Sequence, residues 1–193
     1  MPVTYTNRKG YTYFLCRGTT KTGKPRYSFA REIKGEPVEE IPAGYEISES
    51  VNGIVSLVKK RLSQIRPEEI ATVEAAVARH PKHHNYRVNA RHDRIDVYER
   101  AGPDPDELAN QLGGIISGLD RLKEIMDRRA QFTPVLRFTL RMTDAQKRTF
   151  GVQRMCYLGS IDDWIDIGAM GPVDELARDL IPKLGSDRFF ELY

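Results

Sequence analysis

The stretch at 104–129 constrains the fold of this chain more than any other part of its sequence. Apolar residues recur there at steps of three and four, which predicts one long amphipathic helix. These residues are Leu108, Leu112, Ile115, Leu119, Leu122 and Met126. Asp104 and Pro105 suit the start of the helix, and Glu107 completes an Asp-x-x-Glu capping pattern. At 1.5 Å per residue the helix would extend about 39 Å, which is long enough to support a whole sheet.

Strand-like segments lie on both sides of this helix. Two hairpins are predicted near the N-terminus, and the second of them turns at Asn52-Gly53, a strong hairpin signal. The predicted strands are 11–17, 26–33, 45–50, 54–59, 86–90, 95–98, 135–142, 152–158 and 164–167. Pro67 and Pro172 are predicted to open two further helices, because acids follow each proline in the first turn.

These elements predict an α+β protein in two parts. Residues 1–66 would form a small antiparallel β module, and residues 67–193 a mostly antiparallel sheet packed on one long helix and a C-terminal helix. The boundary is set at Arg66, because a residue before proline is disfavoured in the helical region. The apolar C-terminal residues 189–193 are expected to dock on the core or on a second copy of the chain.

Composition narrows the class of protein. Hydrophobic residues make up 40% of the chain and charged residues 30%, which is typical of a folded globular protein rather than a disordered one. Apolar runs are only a few residues long, and the first residues lack the apolar core of a secretion signal. The two cysteines, Cys16 and Cys156, are therefore interpreted as reduced thiols, and a cytoplasmic protein with no membrane partner is predicted.

The formal net charge of +3 hides an uneven distribution. Residues 1–35 contain eight Lys and Arg against one acid, whereas residues 36–50 contain five acids and no base. The cations alternate with aromatic residues in the first hairpin, a pattern that suits contacts with phosphates and stacking on bases. The predicted nucleic-acid-binding residues are Arg8, Lys9, Arg17, Lys21, Lys24, Arg26 and Arg31. The alternative is a solvated strand pair neutralised by the acidic segment.

Three other groups of residues could carry chemistry. Four histidines fall within 80–92, but Pro81 interrupts the His80-x-x-His83 spacing, so a polar loop is favoured over a metal site. The segment from Ser160 to Asp163 is interpreted as a turn whose side chains bond backbone amides, rather than as part of a Mg²⁺ site formed by Asp162, Asp163 and Asp166. Cys156 has no histidine near it in sequence and is interpreted as a structural thiol. No catalytic residue, metal ligand or cofactor is predicted.

Both ends of the chain resemble a family of uncharacterised bacterial proteins. The shared C-terminal segments are RFTL (137–140), CYLGSIDDW (156–164), LG (184–185) and FFEL (189–192). The N-terminal ones are NRKG (7–10) and TKTGKP (20–25). The resemblance implies a bacterial, cytoplasmic setting and supplies no activity.

The sequence therefore favours a non-enzymatic protein that binds the phosphate backbone of DNA or RNA through a basic N-terminal β-ribbon. The first alternative is an accessory subunit that binds a protein partner or forms a homodimer. The second is a metal-dependent hydrolase that uses the aspartates at 162–166 or the histidine loop.

Overall fold

The structure is a computed structural model that describes residues 1–112, 119–143, 148–157 and 162–191. Its antiparallel sheets and separate helices confirm the predicted α+β class. The chain divides into two compact units, Met1–Arg61 and Leu62–Tyr193. The sequence placed this division at residue 66. We call the two units unit 1 and unit 2.

Unit 1 consists of six short strands. They are β1 (Thr4–Thr6), β2 (Thr12–Thr19), β3 (Pro25–Ala30), β4 (Glu36–Pro37), β5 (Tyr45–Glu49) and β6 (Val55–Lys59). Strands β1, β2 and β3 form an antiparallel sheet in that order, and β4 also pairs with β2. Strands β5 and β6 form a separate antiparallel pair, in which Gly53 adopts the positive φ that the Asn52-Gly53 signal predicts. The sequence indicated four of these strands and missed the very short β1 and β4.

Unit 2 is built on one five-stranded antiparallel sheet. Its strands are β7 (Tyr86–Ala90), β8 (Arg94–Ala101), β9 (Gln131–Thr143), β10 (Arg148–Tyr157) and β11 (Asp162–Gly171). They lie in the order β11-β10-β9-β8-β7. Alternate residues of each strand point to opposite faces, so one face is apolar and the other polar. Phe138 of β9, for example, lies between Ile95 and Val152 on its two neighbours, and all three are fully buried.

Helices α1 (Pro67–Ala78) and α4 (Val173–Leu180) pack on the apolar face. Glu69 fixes the start of α1, where its side chain accepts a hydrogen bond from the Arg66 amide at 2.8 Å. A short helix, α5 (Asp187–Phe190), follows α4 and buries Phe189 in the same core, whereas Phe190 is exposed. Residues 192–193 lie outside the described residues.

Among the described residues, the helix predicted over 104–129 contributes no side chain to the apolar core of the sheet, although Arg100 of β8 donates to the Met126 carbonyl in its second half. The structure shows α2 (Pro105–Leu112) and α3 (Leu119–Arg129), and residues 113–118 between them lie outside the described residues. In the described part of the chain, the core cluster takes its helical residues from α1, α4 and α5 and none from α2 or α3. Helices α2 and α3 instead pack on each other, and Lys123 of α3 pairs with Asp106 of α2 at 2.8 Å. An apolar stripe shows that a helix buries one face, but it does not identify the surface that covers it.

Candidate nucleic-acid interface

The turn between β2 and β3 is held by the hydroxyl group of Thr20. Thr20 Oγ1 accepts a hydrogen bond from the Lys24 amide at 3.1 Å, and the Thr20 amide donates to the Lys24 carbonyl at 2.8 Å. Gly23 supplies the positive φ of 76° that the turn requires. The backbone of this turn is therefore fixed by local hydrogen bonds, which positions the side chains of Lys21 and Lys24 at the end of the two strands.

Three of the predicted cations, Lys21, Lys24 and Arg26, are exposed at this turn. Among the described residues, no carboxylate lies within 4.0 Å of their charged groups. A solvated cation without a carboxylate partner is available to a phosphate group. We call these three residues the ribbon tip.

The remaining cations of the first 30 residues are engaged within unit 1. Arg8 Nε donates to Glu49 Oε1 at 2.8 Å, and Tyr5 donates to the other oxygen at 2.9 Å. Burial alone would raise the pKa of Glu49, but the hydrogen bonds from Arg8 and Tyr5 outweigh burial and lower it. Arg17 lies 3.9 Å from Glu36 in an exposed pair, and the alkyl chain of Lys9 lies against Gly53. The acidic segment at 36–49 thus neutralises Arg8 and Arg17, but not the ribbon tip.

Arg31 stacks on aromatic side chains of the same sheet. Its guanidinium carbon lies 4.0 Å from the centre of the Tyr11 ring and 5.9 Å from that of Tyr13. A cation over an aromatic face keeps its N–H groups available in the plane of the guanidinium. Tyr11 is 43% exposed, so this end of the sheet presents a cation beside an accessible ring.

His80 has a structural role in unit 2. Its Nδ1 accepts a hydrogen bond from the Lys82 amide at 3.1 Å, and its Nε2 lies 3.3 Å from the Leu184 carbonyl. One acceptor and one donor nitrogen describe a neutral imidazole. Burial lowers the pKa of His80, which agrees with that assignment. His80 is therefore a buried residue held by two backbone groups, rather than an exposed member of a polar loop.

One group of the described residues has the composition of a metal site, and it includes His84. His84 Nε2 lies 3.1 Å from Asp104 Oδ2 and 3.7 Å from Asp106 Oδ2. Asp104 also accepts hydrogen bonds from Asn85 and from the first amides of α2, and Asp106 pairs with Lys123. These contacts fix the start of α2, so hydrogen bonds and ion pairs within the protein explain why the three side chains lie together.

The aspartates near Trp164 do not converge on one point. Asp163 accepts a hydrogen bond from the Trp164 amide at 2.7 Å, and Asp166 accepts one from the Gly168 amide at 2.8 Å. Both aspartates lie within β11, which begins at Asp162, so Asp163 belongs to a strand and not to the predicted turn, and residues 158–161 lie outside the described residues. Cys156 is a partly buried, free thiol.

Sequence reasoning missed a cluster of arginines on the polar face of the unit 2 sheet. The cluster consists of Arg91, Arg94 and Arg137 around the buried carboxylate of Asp96, and of Arg141, which pairs with Asp166 on the same face. The alternation of Arg137, Thr139 and Arg141 along one strand was visible in the sequence and predicts that these side chains share a face. The approach of Arg137 to Arg94 and Asp96 depends on the pairing of β8 with β9, which no local signal gives.

Comparison with family models, with curated proteins and with solved structures finds no match for this chain. The resemblance to a bacterial family, and the setting that it implies, therefore stay predictions. In the part of the chain that the structure describes, no helix combines the length and the apolar character needed to cross a membrane.

Proposed function

We propose that this protein binds nucleic acid through the phosphate backbone and that the ribbon tip makes the primary contact. The observation that carries the proposal is the exposure of Lys21, Lys24 and Arg26, with no carboxylate within 4.0 Å among the described residues. A hairpin that carries cations at its end can reach the phosphates that line a groove or a single strand.

The charge of unit 1 supports the same proposal. Met1–Arg61 contains eleven Lys and Arg and six Glu, a formal net charge of +5. Leu62–Tyr193 contains nineteen Lys and Arg and twenty-one Asp and Glu, a net charge of −2. The positive charge is therefore concentrated on the smaller unit, where it would attract a polyanion and raise the rate of association. The bacterial cytoplasm is the proposed setting, and both cysteines are free thiols.

An acidic protein is the rival partner for the same cations, because its carboxylates would also be attracted to the ribbon tip. The two partners differ in the response to salt. A nucleic acid releases condensed counterions, so the logarithm of the binding constant falls linearly with that of the salt concentration. Each phosphate contact contributes a slope of about 0.9 on a duplex and about 0.7 on a single strand.

The test is fluorescence anisotropy of labelled DNA and RNA, single- and double-stranded, at several salt concentrations. The variant is Lys21→Gln/Lys24→Gln/Arg26→Gln in the full chain. The loss of three contacts should lower the salt slope by about 2.7 on a duplex or about 2.1 on a single strand.

The matched control is Lys59→Gln/Lys60→Gln/Arg61→Gln. It removes the same three charges from exposed positions of unit 1 that lie outside the β2–β3 turn. It should leave the slope unchanged. An equal loss in both variants would show that net charge, and not the ribbon tip, governs binding. No binding to any of the four probes at low salt would refute the proposal.

A further inference from the structure

The polar face of the unit 2 sheet carries a cross-strand row of charged and amide side chains. Helices α1 and α4 lie against the opposite face. Residues that pair directly across antiparallel strands point to the same face. The row contains, from β7 to β11, Asn89, Asp96, Arg137, Gln153 and Asp166. We call this surface the arginine face, because the cations that contact its carboxylates, in the described parts of the chain, are all arginines.

The centre of the arginine face is a buried carboxylate with an excess of cations around it. Asp96 is 1% exposed, and Arg137 Nε donates to its Oδ1 at 2.7 Å. Arg94 Nε lies 3.5 Å and Arg91 Nε 3.9 Å from Oδ2. One carboxylate can neutralise only one of these three guanidinium groups. Among the described residues, Arg91 and Arg94 have no other acidic partner within 4.0 Å.

Arg137 and Arg141 each make a further contact with a neighbouring strand of the sheet. The guanidinium carbon of Arg137 lies 3.8 Å from the centre of the Trp164 ring. The side chain of Arg141 crosses β10 at Gly151, where an added Cβ would lie 2.9 Å from Arg141 Nε. Arg141 then reaches to 3.7 Å from Asp166 on β11. The absence of a side chain at Gly151 leaves room for Arg141, which an added Cβ would force to shift.

The arginine face therefore combines incompletely neutralised guanidinium groups with a tryptophan on a pleated sheet. Arg91 is 52% exposed and Arg94 is 29% exposed, so a ligand can reach both. Arginine suits phosphate because its planar fork of N–H groups can donate two parallel hydrogen bonds, and it also stacks on aromatic rings. An anion with several oxygen acceptors would suit the guanidinium groups that Asp96 leaves unneutralised.

We propose that the arginine face is a second binding surface, for single-stranded nucleic acid, with phosphates on Arg91 and Arg94. The inference rests on the proposed function of the ribbon tip and extends it to a second unit of the chain. A single strand fits better than a duplex, because its unpaired bases are accessible to stacking beside phosphates that contact cations. In a duplex the bases are stacked within the helix.

The only tryptophan of the chain provides a direct readout, because Trp164 lies on the arginine face and not on unit 1. The experiment is a titration of the full chain with a thymidine 20-mer, followed by Trp164 fluorescence and by anisotropy in parallel. We expect saturable quenching of Trp164 at the concentration that gives half-maximal anisotropy. The variant Arg91→Gln/Arg94→Gln should abolish the quenching and lower the salt slope by about 1.4.

The matched control is Arg121→Gln/Arg129→Gln, which removes two exposed charges from α3 of the same unit. It should keep both the quenching and the slope. The ribbon-tip variant should still show Trp164 quenching at low salt, since its arginine face is intact. Thermal unfolding of each variant establishes that it is folded under the conditions of the titration.

The outcomes separate the two proposals. Anisotropy that rises while Trp164 fluorescence stays constant would overturn the arginine face and leave the ribbon tip standing. No response of either signal at low salt would overturn both. Quenching by a DNA duplex but not by the single strand, or by poly-glutamate but not by the oligonucleotide, would overturn the assignment of single-stranded nucleic acid to this surface.

Discussion

The carboxylate of Asp104 should make the stability of unit 2 depend on pH. Asp104 Oδ1 accepts hydrogen bonds from the amides of Asp106 at 2.8 Å and Glu107 at 3.4 Å, which caps α2. Its Oδ2 accepts from Asn85 at 2.6 Å and lies 3.1 Å from His84 Nε2. Burial alone would raise the pKa of Asp104, but these hydrogen bonds outweigh burial and lower the pKa to about 2.

The size of the effect follows from the shift. Asp104 has a pKa of 3.8 in the unfolded chain and of about 2 in the folded one, a difference of about 1.8. At 1.36 kcal/mol per pKa unit, the ionised carboxylate contributes about 2.4 kcal/mol to the free energy of unfolding. The folded pKa is the lower one, so the contribution is complete well above pH 3.8 and is lost as the pH falls through 3.8 to about 2.

The substitution Asp104→Asn tests this reasoning, because asparagine is also a good N-cap residue that keeps one acceptor oxygen for the α2 amides, while it removes the charge and the second acceptor. We expect the variant to be about 2 kcal/mol less stable than the wild type at pH 7 and equally stable near pH 2. Urea unfolding followed by Trp164 fluorescence measures unit 2, and hydrogen exchange of the α2 amides detects local opening of that helix. A carbon-detected NMR titration gives the Asp104 pKa directly. A measured pKa near 3.8, or a stability difference that is independent of pH, would refute the argument.

Two other substitutions, each with a control at an exposed pair, test contacts that stabilise the two units. Two nitrogens of Arg148 lie 2.5 and 3.0 Å from the carboxylate oxygens of Glu69. Glu69→Gln should therefore destabilise unit 2 by about 3 kcal/mol, because it leaves the charge of Arg148 without its carboxylate partner. Asp179→Asn, in an exposed pair with Lys183, should change stability by less than about 1 kcal/mol in the same urea unfolding assay. Asn7→Ala should destabilise unit 1 by about 3 kcal/mol, since it removes hydrogen bonds to Gly53, Lys9 and Tyr11. Protection of unit 1 amides from hydrogen exchange measures this loss, and Thr6→Ala, at an exposed hydroxyl pair, should leave protection unchanged.

The elements that local chemistry determines could be predicted from the sequence. Asn52-Gly53 predicts a hairpin wherever it falls, and the structure pairs Glu49 with Val55 across it. Pro67 begins α1 for an equally local reason, because proline suits the first helical position. Strict alternation along the predicted strand 135–142 would place Val135 on the same face as Arg137. A register shift between β8 and β9 near Val97 places Val135 in the core beside Leu136.

The pairing of charges could not be predicted, because it depends on residues that are distant in sequence. Arg8 and Lys21 look alike in the sequence, as two cations of one basic segment. The fold brings Glu49 to Arg8 across 41 residues and leaves Lys21 exposed at a turn. The surroundings of Asp96 could not be predicted for the same reason. Its partner Arg91 lies in a turn, and its partner Arg137 lies on a different strand.

Net charge is a poor guide to where an anion can bind. Unit 2 has a formal charge of −2, yet three guanidinium groups meet one carboxylate on its arginine face. Salt screens charges beyond about 8 Å at physiological ionic strength, so an anion at this face responds to the local excess of arginine rather than to acids elsewhere on the unit. A unit with a negative net charge can therefore carry a cationic surface. The excess of guanidinium groups over carboxylates within contact distance of Asp96 is therefore the observation on which the proposed binding surface rests.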